Sequence, residues 1–503
     1  MTDDRQSRRV EEALHRFIHT PLAALLAPGA DPPAAAVGLF HDVVATVPAY
    51  RDFLCTQGCD PASVRSPADF ARVPLATKES YLRRHALPSL CRGGRLDACD
   101  FVAVSSGSTG EPTFWPRFVT DELAIATRFE QVFADAFDAA GRRTLAVVCF
   151  ALGSWVGGMY TSACCRHLAA KGYPITVVTP GNQREEIWRV LRALAPHFEQ
   201  TVLLGYPPFL KDVIDGGRAA GIDWPALNVR LVMAGEVFSE EWRSLVAERA
   251  GIRDASRATA SLYGTADAGV LGNETPLSIC IRRWLSERPE IAHEMFGQPR
   301  LPTLVQYDPC SRYFETLAGD DGTTTLLFSG DNGVPLVRYH IADQGGLVGF
   351  AGMLASLARH GFDPRAALGA AIPIRALPFV YVFGRPHFAV SFFGANVYPE
   401  NVSVGLEQPE VREWVTGKFV LRAREGLGDA PHLAIAVELA ANIAPDAAKS
   451  AQIAQAILVQ LLRLNSEFAN YTPAEYRRPR ITLHETGDRH WFPVGVKHRY
   501  TRA

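Results

Sequence analysis

The sequence SSGSTGEPT runs from Ser105 to Thr113, after the apolar run FVAV and before a helical-looking segment that starts near Asp121. Its first six residues are four hydroxyl residues and two glycines, so its backbone N–H groups can converge on an anionic oxygen. This composition is typical of a phosphate-binding loop, and an ordinary turn is the alternative. Gly110 is followed by Glu111 and Pro112. The stretch therefore differs from the P-loop, which needs Lys and then Ser or Thr at those positions.

The length and composition favour a small-molecule enzyme. The chain has 503 residues, 48% of them hydrophobic, and a net charge of −2. This length predicts at least two domains, and this charge gives no general attraction to nucleic acid or to an anionic membrane. The polar N-terminus and the lack of a long apolar window predict a soluble, cytoplasmic protein. The nine cysteines lack the spacing of a zinc site and are expected to be buried thiols.

Strand-length and helix-length patterns alternate from Asp100 to about Gly264. The predicted strands are Leu145–Phe150, Ile175–Val178, Thr201–Leu204, Val229–Met233 and Ala258–Leu262. The predicted helices between them are Gly157–Lys171, Arg184–Leu194, Pro208–Ala220 and Glu240–Ala250. This alternation predicts an α/β fold with a parallel sheet covered by helices on both faces.

Polar residues follow two of these strands, where ligands bind in parallel sheets. Gly235 and Glu236 follow the strand that ends near Met233. The segment SLYGTADAG places Tyr263, Gly264, Thr265 and Asp267 on the next loop. Tyr263 could contact a base, Thr265 a phosphate, and Asp267 a magnesium ion. A simple strand end, with Asp267 as a cap, is the alternative.

The C-terminal half carries further candidate residues. A hairpin is predicted around Asp331-Asn332-Gly333, and Asp343 on its second strand could accept hydrogen bonds from a ribose. Arg338 on the same strand could serve the site or pair with a carboxylate. Beyond Gly384, the pattern predicts a small α/β unit with strands at Lys418–Arg422 and Leu433–Leu439 and a helix at 446–468. Lys497 lies near the end of the chain, where a lysine is usually exposed.

Six motifs occur in an order that resembles the acyl-adenylate-forming enzymes, and in particular the phenylacetate–CoA ligase-like branch. They are SSGSTGEPT, MAGEV, SLYGTADAG, VPLVRYHIAD, GRPHFAVSFFGANVYPE and GVKHR, with VPLATKESYLRRHALP near the start. The resemblance runs from about Val47 to the C-terminus. It implies a large N-terminal nucleotide- and acid-binding domain, residues 1–384, and a small mobile α+β domain, residues 385–503.

The resemblance also implies roles for individual residues. ATP phosphates would contact Ser105, Ser106, Gly107, Ser108, Thr109 and Gly110. The adenine pocket would contain Gly235, Glu236, Tyr263 and Gly264. Asp267, with Thr265 beside it, would hold Mg²⁺, Asp343 would bind the ribose, and Arg385 would contact the ribose or phosphate near the hinge. Lys497 would reach the α-phosphate and the substrate carboxylate.

The implied reaction is ATP-dependent activation of a carboxylic acid, which the resemblance suggests is aromatic, with pyrophosphate release and transfer to CoA. Transfer to a carrier protein or an amine is the alternative, and a nucleotide-binding pseudo-enzyme is a third. The sequence leaves the oligomeric state open, with a homodimer as one alternative. Phe150, Gly153, Trp155 and Gly158 could line the acid pocket or belong to the core.

The chain departs from the family pattern at four positions. Glu111 replaces a common Lys, Asp267 a Glu, His387 a hinge Asp, and Ala342 the Gly of the motif that reads RYHIAD here. Asp267 and Lys497 keep the charges that adenylation requires. We therefore expect that half-reaction to be retained, whereas the choice of acceptor stays open.

Overall fold

The computed structural model describes residues 2–27, 31–97, 99–105, 113–298, 300–319, 322–384, 390–426, 429–492 and 500–501. The α-helices in these ranges are α1 Thr2–His19, α2 Leu22–Leu25, α3 Pro32–Thr46, α4 Pro48–Thr56, α5 Pro67–Phe70, α6 Val119–Gln131, α7 Val156–Ala170, α8 Arg184–Leu194, α9 Pro207–Gly217, α10 Glu240–Arg249, α11 Ala255–Ala258, α12 Pro276–Ser286, α13 Pro289–Phe296, α14 Phe350–Arg359, α15 Pro364–Leu368, α16 Pro399–Leu406, α17 Ala447–Leu464 and α18 Ser466–Tyr471.

The strands in the same ranges are β1 Phe101–Val104, β2 Phe114–Arg117, β3 Thr144–Val148, β4 Ile175–Val178, β5 Gln200–Gly205, β6 Val229–Ala234, β7 Thr259–Thr265, β8 Gly269–Asn273, β9 Thr303–Gln306, β10 Tyr313–Ala318, β11 Thr324–Gly330, β12 Leu336–Val348, β13 Phe379–Gly384, β14 Val390–Phe392, β15 Ala395–Val397, β16 Val415–Gly426, β17 Asp429–Leu439 and β18 Arg480–His484. The predicted alternation of strands and helices from β3 to β7 is confirmed.

One large sheet forms the centre of the molecule. Its strand order is β10-β11-β12-β13-β9-β8-β7-β6-β5-β3-β4. The five strands β4, β3, β5, β6 and β7 are parallel to one another, as predicted. The other six strands pair antiparallel. The prediction of a parallel sheet therefore covers only half of this sheet.

Alternating side chains on β3 show how the sheet is buried on both faces. Leu145 and Val147 belong to the apolar cluster under α8, α9 and α10. Ala146 and Val148 belong to the cluster under α6 and α7. Successive side chains of a strand point to opposite faces, so a run of apolar residues can fill two cores at once. This arrangement leaves the carboxyl ends of the strands free to carry polar loops.

A separate three-stranded sheet lies near the C-terminus. Its order is β16-β17-β18, with β16 antiparallel and β18 parallel to β17. Helices α16 and α17 pack on it through an apolar cluster that includes Phe419, Ile435 and Ile457. The fold is therefore α/β, with a large sheet and a smaller α+β part. The predicted boundary between residues 384 and 385 stays a prediction, because residues 385–389 lie outside the described residues.

Two segments with helix signals differ from that pattern in the structure. They are the helix predicted at 446–468 and the segment that begins at Thr77, a residue type common at helix N-caps. The segment after Thr77 forms only turns and the short 3₁₀ helix Leu82–Arg84, although Thr77 Oγ1 accepts a hydrogen bond from Ser80 N as a cap would. The chain is extended just before it, because Ala76 pairs with Tyr339 in a parallel bridge. The helix predicted at 446–468 is interrupted where Asn465 caps α18.

The structure decides two further points. The predicted hairpin is confirmed as β11 and β12, and on it Arg338 Nε lies 3.0 Å from Glu315 Oε2, so Arg338 forms an ion pair. In the described part of the chain, no helix combines the length and the apolar character that crossing a membrane requires.

Candidate active site

A cleft of about 2210 Å³ lies at the carboxyl ends of β3, β5, β6 and β7 and reaches the C-terminal sheet. Every described residue that the resemblance assigned to the ATP site lines it, namely Ser105, Gly235, Glu236, Tyr263, Gly264, Thr265, Asp267 and Asp343. Residues Ser106–Gly110, Arg385 and Lys497 lie outside the described residues. Motifs that are distant in sequence therefore meet in one space. Their roles toward ATP stay predictions.

Asp343 and Tyr263 form a polar pair in this cleft. The Tyr263 hydroxyl donates to Asp343 Oδ2 at 2.8 Å, and Asp343 is 7% exposed. Burial lowers the pKa of nearby His340, although the Asp343 charge acts in the opposite direction. His340 is therefore uncharged near neutral pH. Asp343 accepts a hydrogen bond from a phenol, and its carboxylate can accept further hydrogen bonds from sugar hydroxyls.

Asp267 lies on a tight loop between β7 and β8. It is 4% exposed, and the Tyr339 hydroxyl donates to its Oδ2 at 2.6 Å. Thr265 Oγ1 accepts from Ala268 N at 3.1 Å, which closes the turn around Asp267. In this structure the Thr265 hydroxyl, which was predicted to contact a phosphate, therefore stabilises the loop that contains Asp267.

Lys78 is one of the site residues that the sequence did not indicate. Its Nζ lies 3.5 Å from Asp267 Oδ2, and it lines the cleft. The bridge between Ala76 and Tyr339 brings it there, since the Tyr339 side chain contacts the same carboxylate. Lys78 belongs to the stretch VPLATKESYLRRHALP, but its partner Asp267 lies nearly two hundred residues later in the sequence. A local pattern could not assign it to the site.

The donor set around Asp267 fits a magnesium ion carried by ATP. Among the described residues there is no group of three or more His, Cys, Asp or Glu side chains that could hold a metal alone. Mg²⁺ in nucleotide sites is usually held by one or two carboxylates together with phosphate oxygens and water. A single carboxylate facing the cleft meets that requirement.

Aromatic rings line the cleft beside Gly235. Tyr206 and Phe150 lie edge to face with ring centroids 5.0 Å apart. Gly235 has φ +92°, and a Cβ there would lie 2.5 Å from Tyr206 Cε1, so glycine allows the ring to approach the backbone. Phe150 and Trp155 line the cleft, whereas a Cβ on Gly158 would lie 2.3 Å from the carbonyl oxygen of Ala151.

The end of the chain returns to the cleft at Glu236. The Tyr500 hydroxyl donates to Glu236 Oε2 at 2.9 Å. Leu421 N donates to Tyr500 O at 2.7 Å, which joins this segment to β16. Burial and the nearby Glu236 carboxylate raise the pKa of Tyr500 well above its ordinary value. The phenol is therefore a hydrogen-bond donor at all physiological pH values.

Polar pairs join the C-terminal part to the helices of the large sheet. Lys418 Nζ lies 2.7 Å from Asp212 Oδ2 and 3.2 Å from Glu438 Oε2. Arg249 pairs with Glu413 at 2.9 Å. Further pairs are Arg412–Glu248, Arg463–Glu241 and Ser239–Glu407. Removal from water raises the pKa of Glu407 to about 8.

Comparisons with known proteins agree with this geometry. No protein-family profile matches the chain. Phenylacetate–coenzyme A ligase from Aromatoleum evansii is 27% identical over 208 residues, which are 41% of this chain and 44% of that protein. The matched stretch therefore spans less than half of the relative's length.

Solved structures match over nearly the whole chain. A 2-hydroxyisobutyryl-CoA ligase in the postadenylation state, in complex with R3-HIB-AMP, superposes with a TM-score of 0.65 and 14% identity, covering 94% of this chain and 87% of its own. The chain has the fold of the acyl-adenylate-forming enzymes. An acyl acid amido synthetase in complex with 2,4-DB matches with a TM-score of 0.56 and 13% identity, covering 95% of each chain. The resemblance drawn from the six motifs is thereby confirmed.

Proposed function

We propose that this protein activates a carboxylic acid with ATP to form an acyl adenylate and pyrophosphate, and then transfers the acyl group to the thiol of CoA. The observation that carries the proposal is the meeting of eight motif residues in one cleft. The similarity to a phenylacetate–coenzyme A ligase supports CoA as acceptor, and the aromatic rings of Phe150 and Tyr206 support an aromatic acid.

In the first step, a carboxylate oxygen attacks the α-phosphorus of ATP, and the bond from that phosphorus to the bridging oxygen breaks. Both reactants are anions, so cationic groups in the site lower the barrier. Lys78 supplies one such charge at the cleft, and Lys497 is proposed to supply a second at the α-phosphate. Asp343 would accept hydrogen bonds from the ribose. A magnesium ion held by Asp267 would offset the charge of the phosphates.

In the second step, a thiolate attacks the acyl carbonyl and AMP leaves. Lys497 is not needed for this step, because AMP is already a good leaving group. We propose that residues 385–503 change position between the steps, so that Tyr500 moves away from Glu236. The pairs that join the C-terminal part to α9 and α10 would then separate.

An amine is the second candidate acceptor. The acyl acid amido synthetase that matches over 95% of both chains supports it, because the two proteins share a fold. The adenylation step is the same with either acceptor. A carrier-protein thiol would use the same chemistry as CoA.

The test is pyrophosphate release by the purified chain with ATP, Mg²⁺ and a panel of aromatic and aliphatic carboxylic acids. We expect acid-dependent release of pyrophosphate, and AMP formation that rises when CoA is added. CoA, a phosphopantetheinylated carrier and candidate amines are then compared as acceptors. Release of ADP and phosphate, or no turnover with any acid, would contradict the proposal and favour a nucleotide-binding pseudo-enzyme.

The proposed role of Asp343 in binding the ribose is tested by a substitution. Asp343→Ala should weaken ATP binding by roughly tenfold, because it removes a charged hydrogen-bond acceptor. Asp363→Ala is the control, since Asp363 caps α15 on the surface. Equal ATP affinity in both variants would remove Asp343 from the nucleotide site.

A further inference from the structure

Two buried arginines hold the carbonyl groups on either side of Asp267. Arg117 at the end of β2 is 1% exposed, and its Nη2 donates to the carbonyl oxygen of Ala266. Arg312 is 3% exposed, and its Nη2 donates to the carbonyl oxygen of Ala268 at 3.4 Å. The two guanidinium groups therefore hold the peptide unit that precedes Asp267 and the peptide unit that follows Ala268.

Both arginines direct their charge at backbone carbonyls. In the part of the chain that the structure describes, the hydrogen-bond acceptors of these guanidinium groups are Ala266 O, Ser311 O and Ala268 O. The Nε of each has no hydrogen-bond partner there. Burial lowers the pKa of Arg312. Among the described residues neither guanidinium forms a close ion pair, and the buried Asp121 carboxyl acts on both only at longer range, so holding a carbonyl with a buried cation is costly.

The rest of the loop leaves Asp267 little freedom. Gly269 has φ +69°, and a Cβ there would lie 2.3 Å from Ile125 Cδ1, so the turn requires glycine. The Thr265 hydroxyl bonds the backbone of Ala268. With its backbone held on both sides, Asp267 presents its carboxylate to Tyr339 and Lys78.

The hairpin formed by β1 and β2 contains Arg117 at one end and is joined at the other end to Ser105 and Thr113, the first and last residues of the motif SSGSTGEPT. Arg117 pairs with Phe101 at one end of the β1–β2 hairpin. At the other end, Thr113 N donates to Ser105 Oγ at 3.0 Å, and Ser105 N donates to Thr113 O at 3.0 Å. One short rigid element therefore joins the flanks of that motif to the Asp267 loop.

We infer that Arg117 and Arg312 are positioning residues that set the Asp267 carboxylate for magnesium-bound ATP. The inference rests on the proposed function, because it assumes that the cleft binds this nucleotide. The two cations act through the backbone and do not line the cleft. Their loss should affect the metal-dependent part of nucleotide binding and leave the rest of the site intact.

The test measures ATP affinity by isothermal titration calorimetry, with Mg²⁺ and with EDTA, for Arg117→Met and Arg312→Met. In the unmodified chain, we expect Mg²⁺ to increase the affinity for ATP. In these variants that increase should be at least tenfold smaller, whereas the affinities measured in EDTA should be similar. Arg128→Met is the matched control. Arg128 is also 3% exposed, and its Nη1 donates to Gln131 Oε1 at 3.2 Å rather than to a carbonyl of the Asp267 loop.

A full magnesium effect in Arg117→Met and Arg312→Met would overturn the inference, as would an equal loss in Arg128→Met. If the methionine variants do not fold, the double variant Arg117→Lys, Arg312→Lys keeps both charges but changes their reach. In this double variant, the increase in ATP affinity caused by Mg²⁺ should be about threefold smaller than in the unmodified chain. An unchanged increase would overturn the inference. Failure of the proposed function would look different, because the unmodified chain would then bind no ATP or release no pyrophosphate with any acid.

Discussion

The two sides of the cleft are stabilised by different contacts. On the large-sheet side, Arg243 pairs with Glu240 and Glu274, and all three side chains are at most 4% exposed. On the C-terminal side, the pair of Arg249 with Glu413 leaves the latter side chain 64% exposed. Exposed ion pairs contribute little, whereas breaking a buried network is costly. The comparison teaches that the large-sheet side is held by a buried network, whereas some pairs on the C-terminal side are exposed. Under the proposed function, the C-terminal side is therefore the one expected to separate.

Breaking the fixed side should produce the largest effect. Asp267→Asn keeps the size of the side chain and removes its charge, so it should lower the rate of pyrophosphate release by roughly 10²- to 10³-fold. The rate is measured at saturating ATP and acid. Asp308→Asn, at a surface turn, is the control. A loss below about threefold would show that Asp267 does not hold the metal.

The second prediction concerns Lys418, which joins the C-terminal part to α9 through Asp212. Lys418→Met leaves the Asp212 and Glu438 carboxylates facing each other without their shared cation. Because the Lys418 side chain is 24% exposed, we expect a cost of about 2 kcal/mol in docking the C-terminal part, less than for a fully buried pair. Faster hydrogen exchange in α9 and β16 would report it. Lys449→Met, which removes a pair within the C-terminal part, should leave α9 unchanged.

The same side should respond to pH through Glu407. Burial raises the pKa of its carboxyl to about 8 in the docked state. The protonated form is therefore favoured when docked, and its stabilisation is complete below pH 4.5 and lost as pH rises to about 8. After correction for the intrinsic pH dependence of amide exchange, the protection of α16 should be greater at pH 6 than at pH 9. Glu407→Gln should remove this contribution, and an unchanged pH dependence in that variant would contradict the assignment.

Ala342 should produce the smallest effect and sharpens the comparison on the fixed side. It has φ +63° and an exposed side chain, next to Asp343. Glycine relieves the strain of that conformation but adds freedom to the unfolded chain, so Ala342→Gly should change the free energy of unfolding by less than about 1 kcal/mol. Urea denaturation measures it. A larger loss would mean that the methyl group packs against the site.

The parts of the fold that the sequence predicted are those with strong local patterns. The helix Arg184–Leu194 was predicted at its observed bounds, because its apolar residues recur at helical spacing. The strand Ile175–Val178 was also predicted at its observed bounds. Apart from the β11–β12 hairpin, the antiparallel half of the sheet was missed, since its strands pair with partners that are distant in sequence, such as β9 with β13.

The site was predicted through motifs and missed where contacts alone define it. Asp343 and Tyr263 were expected near each other, and their hydrogen bond could be inferred only from the fold. Lys78, Arg117 and Arg312 carry no local signal, because each reaches the Asp267 loop through tertiary packing. Tyr500 was likewise missed, since its partner Glu236 lies 264 residues earlier.

The measurement that tests the central claim most directly follows the oxygen atoms of the acid. An acid that supports pyrophosphate release is labelled with ¹⁸O in its carboxylate and incubated with the protein, ATP, Mg²⁺ and CoA. If the carboxylate attacks the α-phosphorus, the AMP formed carries one labelled oxygen by mass spectrometry. Label in inorganic phosphate, or unlabelled AMP, would contradict the account.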